Sequence, residues 1–203
     1  MCPSGQFLPA NVNALHLGAR SVNPKVETRI VFTGTFLDPG KEATAANALL
    51  DQGSDVLGMI VDSPITVVQT AEKRGAYFVG YHYLGVQKFA PKGWISGVAF
   101  TWGGLYTRFA KQVMDGTWKS GNILGNLASD MITLAPFGPA VPPDAVKLVN
   151  DAKKAFVDGK KEVFAGPIND NTGGERVKAG EHWPVDNLGK MDWLVEGIIG
   201  QTK

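Results

Sequence analysis

The run Val56-Leu57-Gly58-Met59-Ile60-Val61 carries no charge and no side-chain hydrogen-bonding group, and Asp55 and Asp62 close it at its two ends. It is too short to cross a membrane, which takes about 18 or more apolar residues. No stretch of the chain reaches that length. A short apolar run bounded by turn residues suits a strand covered on both faces, as in a parallel sheet. Parallel strands cannot be joined by tight turns. They need crossovers of about a dozen residues or more, usually helices, so the flanking sequence must supply helices on either side.

It does. Arg29-Ile30-Val31-Phe32-Thr33 reads as a strand broken at Gly34. Asp38 then stands as a helix N-cap with Pro39 at the first helical position, and residues 41–52 run as a helix to Gly53. Ser63-Pro64 repeats the device ahead of a helix over residues 65–74, which Gly75 closes. Residues 76–80 and 95–100 read as further strands. The order over residues 29–100 is β-α-β-α-β-loop-β, an α/β unit with a parallel sheet flanked by helices. Helices are also predicted over residues 12–20, 104–115 and 145–157, with strands at 132–137 and 163–168. A turn-rich stretch follows at 169–174, and the tail carries a short helix around 191–199. Residues 1–11 show no periodicity.

Composition removes several function classes. With 203 residues, 44% of them hydrophobic, the chain can bury a real core. Twenty basic residues against nineteen acidic ones give a net charge of +1, so nothing favours nucleic acid as a partner. Lys153-Lys154 and Lys160-Lys161 alternate with Asp151, Asp158 and Glu162 and read as a solvated face. The single cysteine, Cys2, excludes an internal disulfide and a multi-cysteine metal site. Only Met1 precedes it, so the apolar stretch of a signal peptide or lipobox is missing here. There is no G-x-S-x-G elbow, H-E-x-x-H pair or phosphate-binding loop. Neither a metal nor a cofactor is expected, and no catalytic residue is assigned.

Ligands of open α/β sheets bind at the carboxyl ends of the strands. Those ends read Thr33-Gly34-Thr35-Phe36, Val61-Asp62-Ser63 and Gly80-Tyr81-His82-Tyr83, each polar or aromatic where an apolar run stops. Phe32 and Phe100 read as core. Phe36 follows a Gly-Thr break and Trp102 precedes Gly103-Gly104, so neither belongs to a regular buried face. Two such rings can sandwich a flat ligand, and a carboxylate such as Asp62 can accept from its N–H groups. The candidate ligand-binding residues are therefore Phe36, Asp62, Tyr81, His82 and Trp102. His16, in an apolar helical stretch, reads as structural, and His182 as exposed. Ser63 reads as a helix cap rather than a nucleophile.

Several motifs in order resemble one known family. They are Leu17-Gly18-Ala19-Arg20-Ser21-Val22-Asn23-Pro24, Phe32-Thr33-Gly34-Thr35-Phe36-Leu37-Asp38-Pro39-Gly40-Lys41 and Leu49-Leu50-Asp51-Gln52-Gly53-Ser54-Asp55-Val56. Asp115-Gly116-Thr117-Trp118, Leu134-Ala135-Pro136-Phe137-Gly138-Pro139, Gly166-Pro167-Ile168-Asn169-Asp170 and Met191-Asp192-Trp193-Leu194-Val195-Glu196-Gly197 complete the series. Together they are similar to the C-terminal portion of basic-membrane-protein solute receptors, the purine nucleoside receptor A-like proteins of ABC importers.

The resemblance implies a type I periplasmic-binding-protein-like fold with the N-terminal domain largely missing. It implies a periplasmic or membrane-anchored extracytoplasmic receptor that captures a purine and delivers it to a membrane permease, with Phe36 at the ring-stacking position. The family's acids after the third strand, which bind ribose, are replaced by His82 and Leu84, and Trp102 stands where the nucleoside branch carries a lysine. These departures favour a bare nucleobase such as adenine over a nucleoside.

The division expected is a remnant over 1–24, a ligand-binding core over 25–102 and a helix over 103–125 that packs on the missing domain. Residues 126–203 form the remainder of the C-terminal domain and its tail. The competing readings are an α/β enzyme acting on a nucleoside or sugar derivative, and a receptor fragment without function.

Overall fold

The computed structural model describes residues 8–129 and 131–202. Cys2 and most of the aperiodic lead lie outside them. Helix α1 (Leu8–Val22) is followed by strand β1 (Thr28–Arg29), helix α2 (Pro39–Asp51), strand β2 (Val56–Gly58) and helix α3 (Pro64–Lys73). Strand β3 (Tyr77–His82), a 3-10 segment (Leu84–Phe89), strand β4 (Trp94–Phe100), helix α4 (Trp102–Met114) and strand β5 (Ile132–Leu134) come next. The chain ends with helix α5 (Pro143–Val157), strands β6 (Ile168–Asn169) and β7 (Glu175–Val177), a second 3-10 segment (Val185–Lys190) and strand β8 (Ile198–Ile199).

The central sheet has the order β2-β3-β4-β5. Its first three strands are parallel and β5 runs antiparallel to β4. This is the α/β architecture that the alternating pattern predicts. Asp38 caps α2 as expected, accepting the Lys41 N–H at 3.0 Å. Ser63 occupies the corresponding position before α3, but its hydroxyl makes no capping bond. There the backbone carbonyl of Ser63 accepts from Thr66 N–H instead.

Two cores flank this framework. Ala46 and Leu49 of α2, Leu57 of β2, Val67, Val68 and Ala71 of α3, Phe78 of β3 and Trp94 of β4 form the first. The second gathers Ala10 of α1 with Phe164, Ile168, Val177, Met191, Trp193, Leu194, Val195 and Ile198. Residues 29–33, expected as one strand, are divided between the cores. Ile30 packs on the second and Val31 on the first, as the alternation of an extended chain requires. Regular pairing is therefore confined to Thr28 and Arg29, parallel to Ile198 and Ile199 of β8. Nor is the run over 56–61 covered evenly. Leu57, Met59 and Val61 are buried, whereas Val56 is exposed.

Two expectations for the last third are overturned. The predicted strand over 163–168 is a turn in which only Ala165, bridged to His182, and Ile168 pair as β-structure. Gly166 there donates to Glu181 O at 2.8 Å, and a side chain at Gly166 would collide with the backbone of Lys178. The predicted helix around 191–199 is extended chain ending in β8. Apart from a tight turn in which Ile198 N–H donates to Val195 O, several of its backbone groups are taken by distant partners. Val195 N–H donates to Asn13 Oδ1, Glu196 N–H to Asn169 O, and Leu194 O accepts from Asn171 N–H. The turn at 169–174 is present as the bend between β6 and β7. Asp170, buried, organises it by accepting from Thr172, Gly174 and Arg176, and these bonds hold its carboxyl well below the usual carboxylate range.

Candidate functional site

The parallel register brings the carboxyl ends of the strands to one edge. Tyr81 lies opposite Val98 and His82 opposite Ala99, so β3 and β4 finish side by side. The loop after residue 33 is tied to the segment that follows β2 by a backbone bond, from Asp62 N–H to Phe36 O at 2.6 Å. Phe36 itself is 51% exposed, with its main chain held and its ring free.

At the end of β3 the backbone turns sharply. Tyr83 N–H donates to Tyr81 O at 2.8 Å, and His82 between them has φ of 65°. A γ-turn with positive φ on a residue bearing a Cβ is strained. The strain orients the imidazole. Its ring stacks on Tyr81 at 3.8 Å with 26° between planes and lies 4.7 Å from the Phe100 ring. Desolvation lowers the His82 pKa from its ordinary value, and the negative charge of Asp62 opposes that shift. Burial raises that of Tyr81, and the Asn11 side chain of α1 opposes that shift.

Rings continue from β4 onto α4. Phe100 lies 5.1 Å from Trp102, and Trp102 stacks at 13° and 6.1 Å on Tyr106 one helical turn later. Beside this row is an apolar groove of about 360 Å³, lined among others by Phe100, Trp102, Leu105, Phe109, Ile123 and Met131. Among the described residues no cluster of His, Cys, Asp and Glu is arranged to hold a metal ion.

Four of the five residues singled out from the sequence therefore belong to one connected set. Tyr81, His82 and Trp102 share the aromatic row, and Asp62 acts on His82 through its charge. Phe36 is tied to Asp62 by its backbone and makes no ring contact with the row. Phe100, predicted as core, is half-buried and sits in the middle of the row. Phe32 is also half-buried and belongs to neither core cluster. Tyr106 and Asn11 join the set unannounced. Tyr106 stands four residues after Trp102 on a helix, a spacing that puts two side chains on one face, so it was within reach of sequence reasoning.

The other histidines behave as predicted. His16 is buried between Thr28 Oγ1 at 2.9 Å and Glu196 O at 3.0 Å. His182 is exposed beside Glu162.

The family described as ABC transporter substrate-binding protein PnrA-like matches residues 3–172. A purine-binding protein of Brucella abortus is 37% identical over 187 residues, covering 92% of this chain and 53% of that protein. A Haloferax volcanii protein provisionally named an ABC transporter glucose-binding protein is 26% identical over 192 residues, covering 95% of this chain and 46% of its own length. The chain thus spans about half the length of these relatives. Among solved structures, an ABC transporter solute-binding protein from Conexibacter woesei shares the fold with a TM-score of 0.65 at 22% identity, over 79% of this chain and 54% of that one.

Proposed function

The chain belongs to the PnrA-like family of ABC transporter substrate-binding proteins, and from that premise we propose that it captures a purine at the carboxyl edge of its sheet. The observation that carries this reading is the continuous row Tyr81, His82, Phe100 and Trp102, with Asp62 beside it. Flat rings stack on such a row, and Asp62 accepts hydrogen bonds from an exocyclic amine or ring N–H. Phe36 adds a second, half-exposed ring on the neighbouring loop.

The preferred ligand is a nucleobase such as adenine. Gly80-Tyr81-His82-Tyr83-Leu84 carries no acid to satisfy ribose hydroxyls. The ligand is handed unchanged to a membrane permease on the extracytoplasmic side, and no catalytic step is assigned. Residues 25–102 form the ligand-binding core, and the helix within 103–125 packs against a further domain. Most of the apolar surface of α4 is uncovered, with Tyr106, Val113 and Met114 exposed and Leu105 alone buried, which supports that assignment.

Calorimetric titration with adenine, guanine, adenosine and glucose tests the proposal. Adenine is expected to bind most tightly and to be recovered intact by chromatography. A preference for glucose would shift the ligand to a sugar, whose flat face also stacks on aromatic rings. Conversion of any ligand would favour an enzyme, with Asp62 and His82 as the acid–base candidates. Binding of none of them would favour a fragment that needs the rest of a receptor.

A further inference from the structure

Glu42 is fully buried, yet only one of its two carboxylate oxygens has a partner. Oε1 accepts the backbone N–H of Asp38 at 3.2 Å. Oε2 is buried without a hydrogen bond. A carboxylate in the first turn of a helix is favoured by the helix dipole, but that benefit does not require burial. Capping does not require it either: Asp38 accepting from Lys41 N–H and Glu42 accepting from Asp38 N–H form a reciprocal cap of α2, an arrangement that works at an exposed helix start. Enclosing a carboxylate with one oxygen unpaired costs free energy. What the enclosure provides is a fixed position for the Asp38 N–H, the last backbone group of the loop that carries Phe36.

The same loop is held at two other points. Thr33, itself buried, donates its hydroxyl to Thr35 O at 2.7 Å. Asp62 N–H holds Phe36 O at 2.6 Å. Glu42 completes the set on the far side of Phe36. The loop backbone is thus fastened before, at and after a ring that is left half out in solvent.

We propose that Glu42 is a positioning residue for ligand capture, fixing residues 33–38 so that the Phe36 ring is presented before the ligand arrives. Groups ordered in advance do not have to be ordered on binding, and affinity rises accordingly. The inference rests on the reading of Phe36 as a stacking residue.

Two measurements on the 203-residue chain test it. Adenine affinity is compared for Glu42→Ala, Phe36→Ala and the double variant, and hydrogen exchange is followed without ligand. Glu42→Ala is expected to weaken adenine binding about tenfold, with little further loss when Phe36 is already alanine. Without ligand, exchange is expected to rise at residues 34–38 while residues 43–51 stay protected. Glu42→Gln, which keeps an acceptor oxygen, is expected to restore most of both. Additive losses, or exchange rising evenly along α2, overturn the positioning role and leave Glu42 only a contribution to stability. If Phe36→Ala leaves affinity unchanged, the stacking reading fails instead, and the exchange pattern alone decides whether Glu42 fixes the loop.

Discussion

The main-chain N–H of Asp62 donates to the carbonyl oxygen of Phe36 at 2.6 Å. Two candidate ligand residues from separate strand ends are joined by a bond that uses neither side chain. The Phe36 ring and the Asp62 carboxylate both remain available, and replacing either side chain leaves the bond itself in place.

Phe36→Ala and Trp102→Ala are each expected to weaken adenine binding by about 1–3 kcal/mol, the usual worth of one stacked base. Both side chains are well exposed, at 51% and 44%, so melting temperatures should change little. Calorimetry and thermal melts on the same samples check the two halves of this statement. Unchanged affinity in both variants would remove these two rings from the site.

Adenine is expected to bind more tightly than adenosine. Each ribose hydroxyl buried without a partner costs about 1–3 kcal/mol, and no acid follows β3 to accept from it. Competition between the two ligands measures the difference directly. Adenosine binding tenfold more tightly would show that ribose finds another partner.

Stability should fall as the solution is acidified from pH 7 toward pH 5. Burial lowers the pKa of both His16 and His82 from the ordinary 6.5. Below 6.5 the unfolded chain binds more protons than the folded one, so stability rises with pH in that window. The contribution is fully present above 6.5 and is lost as pH falls through the depressed folded-state values. Melting curves at several pH values should show this slope, and His16→Gln should flatten it. A slope unaltered by that change would assign the effect to other groups.

Gly80→Ala is expected to destabilise the fold by about 1–3 kcal/mol. A Cβ on Gly80 would strike the six-membered ring of Trp94. That indole is 1% exposed and donates its N–H to Pro136 O at 3.0 Å, so it has nowhere to move. Denaturant unfolding measures the loss, and an unchanged midpoint would mean that the sheet yields at this point.

The 203-residue chain is expected to self-associate through α4, where Val113 and Met114 are 64% and 85% exposed, because uncovered apolar faces seek partners. Val113→Glu with Met114→Glu should shift gel-filtration elution toward the monomer. A monomeric parent chain would show that this face is tolerated in water.

The parts of this architecture that the sequence displays are those governed by nearby residues. Asp38-Pro39 and Ser63-Pro64 announce α2 and α3 because a proline ring presets the backbone angle of a first helical turn. The tail is misread for the opposite reason. Met191 to Ile199 has the apolar content of a helix, but Asn13, Asn169 and Asn171 take its hydrogen-bonding groups, and no local pattern reveals partners so far away. The same division holds at the site. Tyr81 and His82 were legible because parallel strands end at a common edge, so the residue type at each end is informative. Phe100 was not, because the face on which a strand residue emerges depends on what covers the sheet. Asn11 meets Tyr81 only through the docking of α1, which the sequence does not display.

Asn13 and His16 on the first helix complete their hydrogen bonds with Trp193, Val195 and Glu196. During synthesis these polar groups of α1 wait for some 180 further residues to leave the ribosome. The first core, whose residues lie between Ala45 and Ala135, can assemble while translation continues. The second core closes only after residues 191–198 have emerged. Contacts so distant in sequence form slowly, and until they form the apolar residues of α1 are open to unwanted association. Residues 191–198 therefore act as the latch for α1: a ribosome that stalls before them leaves Asn13 and His16 without their partners and that helix unanchored.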